Sequence, residues 1–272
     1  MPRLSYSFRS FCNGIGALAF FFFVLWGYHY QRTSIPDQLG MSIRPLTLEN
    51  LKAEVKITHD FATSSRSLIS KDTLPIVETG LYSDLENKVR GALRNNLKSL
   101  GLEFNGEPRT KLFPPSGMMR RLGILGIYWP FTGESYIDPT LHPLEKPFTI
   151  AHEMAHSFGV TNEGEANFVA WVVCQESQDP LLQYSAQLRL LIYLLREYAR
   201  LAPEDYREWI PKIDKGILND IISIQEQGNK YPPFSIEFSR KSNDIFLKSQ
   251  GVKEGIKSYS QLPMLVFAWR EK

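Results

Sequence analysis

The chain has 272 residues, 43% hydrophobic and 12% aromatic, enough for one large domain with a real core and too apolar for a disordered chain. Lys and Arg number 31 against 29 Asp and Glu, a formal charge of +2 with no long block of like charge, which excludes a nucleic-acid-binding tail. Two cysteines, Cys12 and Cys174, exclude a disulfide framework and read as structural thiols.

The first element is apolar. Phe11 to Tyr30, FCNGIGALAFFFFVLWGYHY, contains no Asp, Glu, Lys or Arg. About twenty such residues cross a hydrocarbon core as a helix. Trp26, Tyr28 and Tyr30 gather at one end, as interfacial aromatics do. A cleaved signal peptide competes with this reading, but no small-residue cleavage site follows the run. Residues 1–32 are therefore expected to form an N-terminal tail and transmembrane anchor in contact with the bilayer. Arginines flank the run on both sides and hardly orient it.

Residues 33–272 read as one domain, without internal repeats. A linker at residues 31–46 leads to Leu48, Leu51, Val55 and Ala62 at helical spacing, with Thr47 as N-cap. Ser83-x-x-Glu86 reads as a capping box. The helix that it opens carries Leu85, Val89, Leu93, Leu97 and Leu100 and stops at Gly101. Residues 102–121 are loop-like. Leu122 to Pro130 looks like a buried strand, and Ser135 to Asp138 a second strand running back from the turn PFTGES. Beyond residue 168, helices are expected at 180–200, at Pro203 to about Gln225 with a kink at Pro211, and near 239–249 and 259–269. The fold class is α+β, mostly helical, with one small β element.

The stretch FTIAHEMAHSFGVTNEGEANF, Phe148 to Phe168, carries the chemistry. Pro147 suits a helix's first turn and Gly159 its end. His152 and His156 lie four apart, on one face, and can point at one ion. Glu153 is rotated by about 100° from His152. It stands beside the ion, where water would sit. This is the H-E-x-x-H arrangement of two zinc ligands and a general base. A catalytic site needs a third protein ligand and an open position. Glu163 and Glu165 are the candidates, and two residues apart on a helix they cannot both face the ion. Glu163 shares its face with Asn167, whereas Glu165 points elsewhere, toward a structural hydrogen bond. The helical phasing thus selects Glu163 if the helix already covers both positions. The alternative is a frayed end with both glutamates in water. The following ANFVAWVVC is apolar nearly all round, as buried helices are.

His152-Glu153-Met154-Ala155-His156 followed by Glu163-x-Glu165-Ala166-Asn167 resembles the gluzincin group of zinc metallopeptidases. In several of those families the first glutamate of an E-x-x-A-[DN]-like signature is the third ligand, which here is Glu163. Asn167 stands where many of them have aspartate. More closely, the chain is similar to the bacterial membrane-protein family of unknown function numbered 3810. The similar pieces are LWGYHYQR (25–32), GILGIYWPFTGESYID (123–138), PFTIAHEMAHSFGVTNEGEANF (147–168) and LKSQGVKEGIKSYSQL (247–262). That resemblance implies further hydrophobic segments upstream and a catalytic domain outside the cytoplasm. The gluzincin resemblance implies a zincin-like domain binding one Zn2+ through His152, His156 and Glu163. Its activity would be endopeptidase action on a protein or peptide, with Glu153 as general base for an attacking water. It also implies a second oxyanion donor, and Tyr128, Tyr136, His142 and Tyr184 are candidates. The strand near Gly123–Tyr128 is either an edge along which substrate extends or a plain core strand. Two other functions compete: a zinc-stabilised membrane sensor or scaffold without turnover, and a zinc hydrolase of a non-peptide amide. Retention of Glu153 speaks against the scaffold, which needs no base.

Overall fold

The structure, a computed structural model, describes residues 2–235 and 261–272. It opens with an apolar helix, α1 (Pro2–Leu25), whose Ser7–Leu25 segment is long and apolar enough to cross a membrane. A signal sequence satisfies the same criterion. The helix ends five residues before the apolar run does. Trp26 turns the chain into a 3-10 segment, Gly27–Gln31, and the short helix α2 (Ile35–Gln38) follows.

Helix α3 (Leu48–Ile69) starts where the sequence places it, with the Thr47 hydroxyl accepting from Asn50 N at 3.2 Å. Helix α4 (Tyr82–Asn96) starts at a different residue from the capping-box reading. Its N-cap is Leu81, with no side-chain cap. Glu86 is buried and accepts instead from Arg90 at 2.8 Å and from Thr110 N at 3.3 Å. Tertiary pairing has outcompeted the local motif, because a buried carboxylate needs charged and N–H partners more than a helix end needs a cap.

The segment expected as loop, 102–121, contains a strand, β1 (Thr110–Leu112), and one helical turn, α5 (Met118–Arg121). Two further strands follow, β2 (Gly126–Trp129) and β3 (Glu134–Ile137). They form a three-stranded sheet in the order β1-β3-β2, with β1 parallel and β2 antiparallel to β3. Register pairs Gly126 with Ile137 and Tyr128 with Ser135. Of the two readings open for this strand, edge or core, the edge is the one observed. Among the described residues β2 pairs on one side only, and Ile127 and Trp129 face solvent.

Four later helices join α3 and α4 in the core. These are α6 (Lys146–His156), α7 (Glu163–Gln175), α8 (Pro180–Leu201) and, after the break at Pro211, α10 (Lys215–Asn229). Between α8 and α10 lies α9 (Pro203–Trp209), and a 3-10 turn around Pro211 ends it outright. A new cap, Asp214, then starts α10 by accepting from Gly216 N at 2.9 Å and Ile217 N at 3.1 Å. The expected single kinked helix is two helices. The last helix, α11 (Leu262–Arg270), corresponds to the one expected at 259–269, whereas the one at 239–249 lies outside the described residues.

Ala166 to Cys174 are all buried, so α7 runs through the centre with α6, α8, α4 and α11 packed around it. On the far side Asp220 of α10 accepts from Arg66 Nε of α3 and from Ile76 N, both at 2.8 Å, and from the Tyr184 hydroxyl of α8 at 2.5 Å. That buried pair satisfies its own hydrogen-bonding groups and ties three helices together.

Candidate metal centre

Helix α6 carries the first two candidate ligands. Pro147 lies in its first turn, and Ile150 and Met154 are fully buried against the core. Burying that face aims the other inward-facing stripe, His152 and His156, at the start of α7. Gly159 then takes a φ of +77°, a left-handed conformation that lets the chain leave α6 sharply. The turn brings Asn162 into place as the cap of α7, its Oδ1 accepting from Gly164 N at 2.8 Å and Glu165 N at 3.1 Å. Glu163 is therefore the first residue of α7 and faces back to α6.

His152, His156 and Glu163 each offer a ligand atom, all within 4.8 Å of one another. Glu163 Oε2 lies 3.0 Å from His152 Nε2, and Oε1 lies 3.8 Å from His156 Nε2. The Nδ1 of His156 is 2.6 Å from the Val160 carbonyl, so it carries the proton and leaves the Nε2 lone pair for the cluster. Among the described residues no fourth His, Cys, Asp or Glu joins the group. Two imidazoles and one carboxylate are a donor set that suits a zinc ion with an open position.

The other glutamates go elsewhere. Glu165 accepts from Ile35 N at 3.0 Å and is thereby committed to the segment that follows α1. Asn167 is buried and neutral, and its Nδ2 has no hydrogen-bond partner, nor has Nδ1 of His152. Glu153 is buried outside the three-residue group. Its carbonyl accepts from Ser135 Oγ at 2.9 Å, which fixes α6 against β3. Its carboxylate lies against Gly126 of β2, where a Cβ would stand 2.6 Å from Glu153 Cγ. A glycine is required there by close approach.

Burial pushes the Glu153 carboxyl up to about 8, with repulsion from Glu163 adding to it and His152 opposing. Burial alone would lower His152, but the Glu163 carboxylate outweighs it and raises the imidazole above its ordinary value. In His156 burial wins and the pKa falls.

Of the four residues considered as oxyanion donors, three serve other purposes. Tyr184 donates to Asp220, His142 pairs with Ser223 at 3.1 Å, and Tyr136 donates to Glu134 at 3.0 Å. Tyr128 is linked to the cluster through Trp26. The Trp26 ring is 4.8 Å from that of Tyr128 and 6.1 Å from that of His156. Trp26 is 7% exposed, and its Nε1 donates to the Tyr30 hydroxyl at 3.1 Å. Two of the expected interfacial aromatics, Trp26 and Tyr30, therefore pack at the site, while Tyr28 stays exposed. The segment is held further along. A Cβ on Gly159 would stand 2.5 Å from His29 Nδ1, and Arg32 donates to the Phe158 carbonyl at 3.2 Å. Sequence reasoning missed Trp26 because it stands at the end of an apolar run, with no local signal separating a membrane-edge tryptophan from one folded back.

Among the described residues, fold and cluster together define a mostly helical protein with a small sheet, one apolar helix of membrane-crossing length and a His-His-Glu constellation whose histidines are buried and whose glutamate is partly exposed. The chain belongs to the family described as Protein of unknown function (DUF3810), which it matches over residues 2–267. No curated protein and no solved structure matches it.

Proposed function

We propose that the chain is a membrane-anchored zinc endopeptidase with a zincin-like, gluzincin-type site. The observation that carries this is the division of labour at α6. His152 and His156 converge with Glu163 within 4.8 Å, while Glu153, the next residue after His152, stays buried outside the group. A site serving stability alone closes with a fourth ligand and has no use for a buried, costly carboxylate.

Zinc, when bound, supplies a Lewis acid and a water acidic enough to ionise near neutral pH. With the ion held by His152, His156 and Glu163, Glu153 would be the base that accepts a proton from the attacking water and returns it to the leaving amine. Its position against Gly126 keeps it at the edge strand, away from bulk water. The edge of β2, unpaired among the described residues, offers backbone N–H and C=O groups to an extended peptide, the pairing used in strand addition. Tyr128, on the strand and in ring contact with the Trp26 that packs against His156, is the phenol considered that we assign to a developing oxyanion. The helix α1 anchors the chain in the bilayer, with the catalytic domain outside the cytoplasm.

The test is cleavage of an unbiased peptide library by the zinc-loaded full chain, wild type against Glu153→Gln. Equal zinc with cleavage lost only in the variant is the expected result. Equal zinc with no cleavage by either protein would return the site to a scaffold or to a non-peptide amide substrate.

A further inference from the structure

The metal cluster and the membrane helix share one short stretch of chain. Leu25 is the last residue of α1, and the next residue, Trp26, sits with its ring 6.1 Å from that of His156. The connection is braced along its length. Trp26 packs on Tyr128 of the edge strand, His29 on Gly159, Arg32 on the Phe158 carbonyl, and Ile35 N on Glu165, two residues after the candidate ligand Glu163. At Gly27 a Cβ would stand 2.5 Å from the Phe23 ring, so the chain turns back closely on the end of α1. No free linker therefore separates anchor from site.

This has a consequence for what reaches the site. If Ser7–Leu25 fills the hydrocarbon core, the core ends near Leu25, and the headgroup layer beyond it is about 5–7 Å deep. A tryptophan side chain reaches the cluster from there. An extended chain covers about 3.3 Å per residue, so a peptide lying along β2 and anchored in the same bilayer presents a bond only about three to six residues from its own span.

We infer that the substrates are membrane-embedded proteins, cut in the extended segment within about six residues of the bilayer. This rests on the endopeptidase reading above and on α1 as the span. The site is a fixed-height cutter. Soluble peptides meet the same residues but lack the tether that concentrates a segment at that height.

Two measurements on the full chain in phosphatidylcholine vesicles test this. The first is independent of hydrolysis. A fluorophore on Thr161→Cys, placed in a Cys12→Ser background because Cys12 is exposed and Cys174 buried, reports the height of the α6–α7 turn. A nitroxide on the lipid headgroup should quench it. The second uses single-span peptides with the same cleavable sequence placed at increasing distance from the span, beside the free peptide. Cuts should cluster within about six residues of the span and fall away beyond, with the free peptide cut more slowly. An unquenched label, cuts equally frequent at every distance, or a free peptide cut as fast as the tethered one overturns the inference and leaves the endopeptidase standing. A quenched label with no cut at any distance overturns the endopeptidase, and the substrate class falls with it.

Discussion

Replacing Glu163 and Glu165 separately by alanine separates a ligand from a brace. Both start α7, both are acidic, and only Glu163 approaches the imidazoles, at 3.0 Å from His152 Nε2. Removing it leaves two nitrogen donors. Loss of partners outside a coordination sphere already lowers zinc affinity about 10–100-fold, so loss of a ligand should exceed about 100-fold. Glu165→Ala should leave zinc stoichiometry at one. Its cost is structural: the Ile35 amide, now held at 3.0 Å, is orphaned in a residue of zero exposure. A buried donor left without an acceptor costs about 1–3 kcal/mol. At about 2–4 °C per kcal/mol for a chain of this size, the melting temperature should fall by roughly 2–12 °C. Competitive zinc titration with a chromophoric chelator and thermal melts followed by circular dichroism read the two effects. Zinc lost in Glu165→Ala and kept in Glu163→Ala would refute the assignment.

Gly126→Ala should retain zinc and lose turnover at least about ten-fold, since the new Cβ displaces the Glu153 carboxylate, worth more than about 1.4 kcal/mol at the barrier; unchanged turnover in the peptide assay would contradict the close approach. Zinc uptake should release protons at pH 7, because Glu153 is held protonated up to about 8 and a neighbouring dication favours its carboxylate. Affinity then rises with pH toward about 8 and flattens above it, and calorimetry in buffers of different ionisation enthalpy should count one proton fewer for Glu153→Gln; an equal count would contradict it. Asp220→Ala should destabilise the fold by about 3–5 kcal/mol in urea denaturation, because it strands the buried Arg66 guanidinium, while folded protein keeps its zinc affinity.

The sequence made the site easier to read than its surroundings. Two histidines and a glutamate in one helical register are a local pattern, and so is the phasing that separates Glu163 from Glu165. The edge strand was visible as an element, but its lateral exposure was not, because pairing on one side or two depends on residues far away in the chain. The strand β1 has three residues and pairs in parallel with β3, leaving no alternation to detect. Ser83 and Glu86 satisfied a local rule that burial of Glu86 overrode. The largest omission was Trp26. A period-free apolar run from Phe11 to Tyr30 gives no sign of where the helix stops, and only the tertiary partners Tyr128 and His156 show that the run ends in the site.

The central claim is one divalent ion held by three named side chains. X-ray absorption at the zinc edge of the purified full chain, with His152→Ala, His156→Ala and Glu163→Ala beside it, addresses it directly. The predicted spectrum has two imidazoles, one carboxylate oxygen and one exchangeable oxygen, all at about 2.0–2.2 Å, with zinc lost in each variant. A chain that retains no zinc, or a shell closed by four protein donors, would contradict the account.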